Sequence, residues 1–199
     1  MSLGDRLATP DGKRRYVRVL FATIADRYDL ITVLLSFGRD RAWKRRLVRM
    51  AALSPRDRVL DLATGTGDIA FLARESGASV VGLDLTRRMI EIACDKRGTA
   101  NSPAFLVGDM MALPFASRSF DVVTTGYGLR NVPDLPGALD EIARVLRPGG
   151  RLLSLDFNRP SSRPVRLAHL AYLQVVGGAL GWLLHRDPDT YRYIPASIR

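Results

Sequence analysis

Cysteine, histidine and lysine are scarce in this chain of 199 residues, and the first two scarcities limit the disulfides and metal sites that it can form. Cys94 is the only cysteine, which excludes an internal disulfide framework. The two histidines, His169 and His185, have no cysteine or acidic cluster at ligand spacing, so no metal site is predicted. The first residues lack the apolar core of a signal peptide, and this favours a cytoplasmic protein.

Lysine is rare because arginine supplies the positive charge, with 27 arginines and 3 lysines giving a net charge of +10. Residues 1–58 carry 14 basic and 6 acidic side chains, so most of the excess lies there. Such a segment favours an anionic partner, either nucleic acid or the anionic surface of a membrane. An arginine-rich composition would produce the same charge without any partner, and both interpretations stay open.

Helical periodicity covers both ends of the chain. Residues 14–52 are predicted to be helical, and the helix over 40–52 has an apolar and a basic face. The apolar face contains Trp43, Leu47 and Met50, and the basic face contains Arg41, Lys44, Arg45 and Arg49. The apolar run over 167–184 is nearly long enough to cross a membrane. His169, Gln174 and a glycine pair interrupt it, which favours a helix packed on the sheet over contact with a membrane surface.

The middle of the chain alternates short apolar segments with helical ones. Strands are predicted at 58–62, 79–84, 104–107, 121–126 and 151–157, and helices at 68–76, 86–96 and 134–146, with an Arg-Pro-Gly-Gly turn at 147–150. This pattern predicts an α/β fold with a doubly wound, mainly parallel sheet. The predicted organisation is a helical cap segment (1–57), the α/β core (58–160) and an apolar helical, substrate-side segment (161–199) of a single domain.

Residues 58–68 read as a buried strand ending in Asp61, a Gly65-Thr66-Gly67 turn and a helix beginning at the acid Asp68, and Asp84 ends the next strand. A dinucleotide fingerprint has a third glycine and offers a helix N-terminus to a pyrophosphate, which Asp68 would repel. S-adenosylmethionine has no phosphate, and its ammonium and sulfonium groups suit nearby carboxylates. The other interpretation is a tight turn with Asp68 as an N-cap. Asp84, which can accept hydrogen bonds from two ribose hydroxyls, favours a nucleoside site over a plain turn.

Four segments carry the motifs of a known family. They are RYDL at 27–30 with SFG and WKR after it, DLATGTGD at 61–68, GLRNV at 128–132 with RVLRPGG at 144–150, and YRY at 191–193 with SIR at 197–199. Together they resemble the quinone-biosynthesis C-methyltransferases, which methylate demethylmenaquinol or a polyprenyl benzoquinol. The resemblance covers the chain from about residue 20 to its end. It implies a Rossmann-like methyltransferase fold.

The resemblance implies a set of cofactor residues. Asp84 would bind the ribose hydroxyls, Thr66 and the glycines beside it the methionine part, and Asp109 and Met110 the adenine; the full set is Asp61, Gly65, Thr66, Gly67, Asp84, Leu85, Asp109, Met110 and Gly126. Gly126 departs from the family pattern, because many relatives have a serine there. A contact through its backbone would survive this change.

Three residues are predicted to act in catalysis, because methylation of a quinol ring calls for a base and a cation near the phenolate. Arg130 is the candidate cation, unless it only braces its loop through Asp134. Asp68 is the candidate base, directly or through water, unless it is only an N-cap. Tyr28 would orient the ring, although its residue type and position favour a packing role over a chemical one.

The implied substrate carries an isoprenoid tail, which agrees with the apolar segments 30–37 and 167–184. A basic N-terminal face would suit peripheral contact with an anionic membrane, and no nucleic-acid partner is expected. Relatives have seven strands, so the sheet is expected to lack the last two, and its open edge would favour a homodimer. The alternatives are methylation of another lipid-like molecule or of RNA, or a truncated, non-catalytic S-adenosylmethionine-binding protein.

Overall fold

The computed structural model describes residues 8–98, 101–158, 160–186 and Tyr193. Of the tyrosine-rich motif at 191–193, only Tyr193 is described, and the SIR segment lies outside the described residues. Contacts between Cα atoms group the chain into two units. The first contains Met1–Tyr28 and Arg41–Asp156, and the second contains Asp29–Asp40 and Phe157–Arg199. The three predicted segments follow the chain order and stay a prediction.

A five-stranded parallel sheet forms the centre of the first unit. Its strands are β1 (Arg58–Leu62), β2 (Ser79–Asp84), β3 (Ala104–Val107), β4 (Phe120–Gly126) and β5 (Leu146–Leu155), in the order β3-β2-β1-β4-β5. Every neighbouring pair is parallel, so the predicted fold class is confirmed. The strand order reverses between β1 and β4, and ligands of such sheets bind beyond the strand ends at this point.

Seven helices accompany the sheet in the described residues. They are α1 (Pro10–Ile24), α2 (Tyr28–Leu35), α3 (Asp40–Met50), α4 (Asp68–Arg74), α5 (Arg87–Asp95), α6 (Leu135–Val145) and α7 (Arg163–His185). Of two short 3-10 turns, Ala25–Arg27 lies between α1 and α2, and Leu129–Asn131 lies between β4 and α6. The start of α1 has a clear cause, because Thr9 Oγ1 accepts the Gly12 N–H at 3.1 Å and Pro10 has the φ of a first helical residue.

The first unit has a buried cluster of apolar side chains on each face of the sheet. Leu60 and Leu62 of β1 pack with Ile142 of α6, whereas Val59 of β1 packs with Ala70 and other small side chains. Successive residues of a strand point to opposite faces, so the alternation within β1 supplies both clusters. Strands that are buried on both faces explain why the sequence shows continuous apolar runs.

The sequence predicts that residues 147–150 form a turn before the last strand, and this prediction is wrong. β5 starts at Leu146, directly after α6, and Phe120 pairs with Leu146 while Val122 pairs with Arg151. The four residues in between form a bulge, opposite Asp121, with Gly149 at a φ of 79°. An edge strand tolerates proline and a bulge because one of its sides has no strand to pair with.

The two faces predicted for α3 are each wrong at one residue. Lys44 is 6% exposed, and its ammonium donates to Asp68 Oδ2 at 2.9 Å. Met50, predicted on the apolar face, is 65% exposed. Helical periodicity assigns a lysine to solvent, but a carboxylate at the start of α4 holds this one inside the first unit.

The second unit contains most of α2 and all of α7. Phe37 stacks on Tyr172 with ring centroids 5.0 Å apart, and the Tyr172 hydroxyl donates to Leu35 O at 3.5 Å. Apolar side chains remain exposed on both helices, among them Leu30, Val175 and Trp182. None of the helices that the structure describes is both long and apolar enough to cross a membrane.

Candidate functional site

The loop after β1 has a backbone conformation that favours glycine. Gly65 and Gly67 have φ angles of 56° and 89°, in the left-handed region that disfavours side chains. A Cβ atom at Gly67 would lie 2.9 Å from ring atoms of Phe71 and of Phe105. The chain can therefore turn sharply into α4 only without a side chain here, and the backbone of Gly65 forms part of a cavity wall.

Asp61 supports this loop from inside the sheet. Its fully buried carboxylate accepts hydrogen bonds from Thr64 Oγ1 at 2.6 Å and from Thr124 Oγ1 at 2.7 Å. Burial raises the pKa of Asp61 to about 6, although the two hydroxyls and the charge of Lys44 act in the opposite direction. Asp61 therefore ties the loop to β4 from beneath.

Asp84 ends β2 and lies in the cavity wall beside the loop. Its Oδ2 accepts the Gly65 N–H at 2.9 Å, and its Oδ1 accepts the Thr86 N–H at 2.8 Å. Burial raises the pKa of Asp84, whereas these N–H groups act to lower it. Each carboxylate oxygen can accept a further hydrogen bond, so the residue can bind two adjacent hydroxyl groups from the cavity.

One cavity brings most of the predicted cofactor residues together. Together with the open space at its mouth, it spans about 720 Å³. The predicted residues in its wall are Tyr28, Gly65, Asp84, Leu85, Asp109, Met110 and Gly126. Asp61, Thr66, Gly67, Asp68 and Arg130 lie outside the set of described residues that line it.

The α1 helix lines the end of the cavity where Asp109 lies. Arg14 Nη2 is 2.5 Å from Asp109 Oδ2, and Asp109 Oδ1 accepts the Met111 N–H at 2.9 Å. Val17 and Phe21 line the cavity on the same helix. Sequence reasoning assigned no site role to these α1 residues, although the spacing 14, 17, 21 puts them on one helical face. The positive charge of Arg14 was read as part of a basic surface.

Backbone strain marks the segment after β4. Tyr127 is buried in the cavity wall with a φ of 61°, which is uncommon for an aromatic residue. Its N–H donates to Leu155 O at 2.7 Å. The next residue must be small, because a Cβ atom at Gly128 would lie 2.6 Å from Ala63 Cβ. The ends of β1 and β4 therefore approach each other closely at the cavity.

Asn131 and Gly126, which also line the cavity, affect which ligand groups it can bind. Asn131 Nδ2 donates to Tyr127 O at 3.0 Å, while its Oδ1 is buried and accepts no hydrogen bond from any residue that the structure describes. Because Asn131 lines the cavity, this oxygen suits a ligand donor such as an ammonium or hydroxyl group. A Cβ atom at Gly126 would lie 2.7 Å from Ile69 Cδ1, so the serine of many relatives would require the Ile69 side chain to shift.

Arg130 follows in the same loop and is held in place by backbone and carboxylate groups. Its Nε lies 3.5 Å from Asp156 Oδ1 and 3.4 Å from Tyr127 O. The Arg130 side chain is 14% exposed. The contact with Asp156 limits the directions that the guanidinium can take.

Asp68 begins α4 and lies between two of the three lysines of the chain. Its Oδ2 is 2.9 Å from Lys44 Nζ, and its Oδ1 is 3.5 Å from Lys96 Nζ. Burial alone would raise the pKa of Asp68, but the two ammonium groups outweigh burial and lower it. A carboxylate with a lowered pKa is a weaker base, and the same contacts tie α3 and the end of α5 to the start of α4.

Comparisons with known proteins agree with this geometry. The model of the ubiE/COQ5 methyltransferase family matches residues 9–199. The chain is 44% identical over 182 residues to the demethylmenaquinone methyltransferase of Thermus thermophilus, covering 90% of this chain and 83% of that protein. It is 42% identical over 202 aligned residues to the ubiquinone/menaquinone biosynthesis C-methyltransferase UbiE of Dinoroseobacter shibae, covering 98% and 80%.

A solved structure supports the fold. The YcgJ protein of Bacillus subtilis is 31% identical with a TM-score of 0.58, and the match covers 67% of this chain and 58% of that one. The family match extends over nearly the whole chain and includes both the glycine loop and the GLRNV segment. The chain therefore belongs to the ubiE/COQ5 methyltransferase family.

Proposed function

We propose that this chain binds S-adenosylmethionine and methylates a ring carbon of a prenylated quinol in menaquinone or ubiquinone biosynthesis. The observation that carries the proposal is the hydrogen bond between Asp84 and the Gly65 N–H in the wall of one cavity. A carboxylate whose oxygens can each accept a further hydrogen bond, beside a bare glycine turn, suits a nucleoside without phosphates. The two similar relatives, named for menaquinone and ubiquinone methylation, support the substrate class.

The residues present fit the cofactor along the length of the cavity. Asp84 would accept the two ribose hydroxyls, with Leu85 beside the sugar. Asp109 and Met110 would hold the adenine, and the backbone at Gly65 would meet the methionine part. The unpartnered acceptor on Asn131 suits an ammonium group.

When bound, S-adenosylmethionine supplies a methyl group on a positively charged sulfur. The ring carbon becomes a stronger nucleophile once a phenolic proton leaves, and it later loses its own proton when aromaticity is restored. The site therefore needs a cation beside the phenolate and acceptors for these protons. It must also hold the ring carbon in line with the methyl group.

Three residues are proposed for these tasks. Arg130 would stabilise the phenolate, because its guanidinium is already oriented by Asp156 and the Tyr127 carbonyl. Tyr28 lines the cavity close to Gly65 and would orient the ring. Asp68 would accept a proton directly or through water, although its two lysine contacts weaken it as a base.

The test is incubation of the purified chain with S-adenosylmethionine and a reduced, short-tailed demethylmenaquinol, followed by mass spectrometry for one added methyl group. We expect Arg130→Ala to lower turnover by roughly 100-fold, the usual effect of removing a group that stabilises developing negative charge. The affinity for S-adenosylhomocysteine should stay within about twofold, because Arg130 lies outside the described cavity wall.

Arg87→Ala is the matched control, because Arg87 is an exposed arginine that pairs with Glu91 on α5. It should retain wild-type turnover. Equal turnover by the Arg130 and Arg87 variants would remove Arg130 from the chemistry. Cofactor binding without any methylated quinol would contradict the proposed substrate.

We also propose that α3 contacts an anionic membrane surface. Arg41, Arg45, Arg46 and Arg49 are exposed along this helix, and basic residues near an anionic bilayer each contribute about 1 kcal/mol. In the second unit, exposed apolar side chains such as Phe37 and Trp182 suit contact with an isoprenoid tail or acyl chains.

Vesicle sedimentation tests the membrane contact. The chain should bind vesicles with about 30% phosphatidylserine more tightly than neutral vesicles, and added salt should weaken that binding. Arg45→Gln with Arg49→Gln should weaken it roughly 30-fold, because two lost charges together amount to about 2 kcal/mol. Arg56→Gln with Arg87→Gln removes the same charge outside α3. An equal loss of vesicle binding in the two double variants would mean that the net charge of the chain, and not the surface of α3, drives the binding.

A homodimer stays a prediction, and β5 is where it would form. This strand lies at one edge of the described sheet, and an edge offers unpaired N–H and C=O groups. Light scattering across protein concentration would give the mass of the species in solution, with twice the chain mass expected.

A further inference from the structure

Two neighbouring residues of α1 reach different parts of the site. Arg14 Nη2 lies 2.5 Å from Asp109 Oδ2, at the proposed adenine end of the cavity. Lys13 Nζ donates to Val132 O at 2.6 Å and to Arg130 O at 3.2 Å. One turn of one helix is thus fastened both to the cofactor cavity and to the loop that carries Arg130.

The contact made by Lys13 suits an ammonium group. In the 3-10 turn over Leu129–Asn131, the N–H groups of Asn131 and of the following residue donate to the carbonyls of Gly128 and Leu129. The carbonyls of Arg130 and Val132 accept from Lys13. An ammonium is a compact charge with three donors, so it can reach two carbonyls at once. Burial lowers the pKa of Lys13, which is consistent with an ammonium withdrawn from solvent.

We propose that Lys13 and Arg14 are positioning residues, which couple occupation of the adenine end of the cavity to the placement of Arg130. The proposal rests on the proposed function, because it takes Arg130 to be the catalytic cation. A bound adenosine would contact Val17 and Phe21 in the cavity wall and meet the Asp109 carboxylate that Arg14 orients. Such contacts hold α1 in place, and Lys13 then holds the backbone of Arg130.

The first test uses amide hydrogen exchange with S-adenosylhomocysteine as the probe. In the wild type, the probe should slow exchange both in residues 10–24 and in residues 128–132. In Lys13→Met, the helix should still be protected, while protection of residues 128–132 falls by roughly tenfold, the range expected for a lost charged hydrogen bond. Lys13→Arg should restore part of it.

Arg15→Gln is the matched control, because Arg15 is the next residue of α1 and is exposed. It should leave the exchange of residues 128–132 unchanged. A Lys13→Met variant with the same exchange as Arg15→Gln would overturn the coupling. Thermal unfolding of each variant distinguishes local loosening from loss of the fold.

The second test separates turnover from cofactor affinity. Lys13→Met should lower kcat roughly tenfold and leave the KM for S-adenosylmethionine within about twofold, whereas Arg14→Gln should mainly raise that KM. Unchanged kcat in Lys13→Met would overturn the proposal. Hydrogen exchange and the affinity for S-adenosylhomocysteine are measured without a quinol. If the wild type methylates no quinol, the proposed substrate is wrong, and the exchange data still test the coupling by Lys13.

Discussion

At the scale of single residues, Asp61 illustrates what burial does to one carboxylate. The folded chain holds its pKa near 6, against 3.8 for an exposed aspartate. Between these values the folded state keeps a proton that the unfolded chain releases, so the free energy of unfolding falls as the pH rises through this window. The group is fully buried, and two pKa units correspond to about 3 kcal/mol.

The variant Asp61→Asn cannot titrate, so its stability relative to the wild type should depend on pH. From pH 3.5 to pH 7, we expect the difference in free energy of unfolding to shift in favour of the variant by about 3 kcal/mol. Urea unfolding at several pH values measures this difference. A difference that stays constant over the range would mean that Asp61 has the same pKa in the folded and the unfolded chain.

Residues of the site differed in how far the sequence could predict them. The position of Asp84 in the cavity wall could be predicted, because ligands of such sheets bind beyond the carboxyl ends of the strands. The strained backbone of Tyr127 could not, since positive φ is expected for glycine and the flanking glycines gave no reason to expect it at the aromatic residue. Arg14 was missed because its partner, Asp109, is distant in the chain, and amphipathic spacing cannot identify such a partner.

At the scale of elements, the same substitution should have opposite effects in a loop and in a helix. A Cβ atom at Gly128 would lie 2.6 Å from Ala63 Cβ and 2.7 Å from Thr125 Oγ1, whereas none of the described atoms lies within 4 Å of one at Gly178. Gly128→Ala should therefore lower the free energy of unfolding by about 1–3 kcal/mol. Gly178→Ala lies within α7 and should raise helix stability by about 1 kcal/mol.

Thermal and urea unfolding of the two variants, followed by circular dichroism, checks these signs. Destabilisation by both would mean that α7 packs too tightly at Gly178 for a methyl group.

The bounds of most elements agreed with the periodicity, because strands buried on both faces leave a clear apolar signal. The start of β5 did not, since the sequence Arg-Pro-Gly-Gly gives the same turn signal whether it ends a strand or bulges from an edge.

At the scale of the whole molecule, the grouping of the chain into two units was not predictable from periodicity. The second unit joins residues 29–40 to residues far along the chain, through contacts such as the stacking of Phe37 on Tyr172. Apolar periodicity identifies which face of each helix is buried, but it does not identify the partner. The parallel sheet was predictable, because alternating strands and helices with short connections allow few other arrangements.

The choice of cofactor can be tested on the stability of the whole chain. A ligand that binds only the folded state at 100 times its Kd adds about 2.7 kcal/mol to the free energy of unfolding. For a chain of this size, that raises Tm by roughly 5–10 °C. We expect S-adenosylhomocysteine to give this shift and NAD to give none, because the glycine loop leads directly into Asp68, whose carboxylate would repel a pyrophosphate. Asp84→Asn should lose most of the shift, since it weakens the proposed contact with the ribose, whereas Asp95→Asn, at an exposed aspartate, should keep it. An equal shift with NAD would mean that the cavity binds adenosine without regard to phosphate, and the charge argument for S-adenosylmethionine would fail.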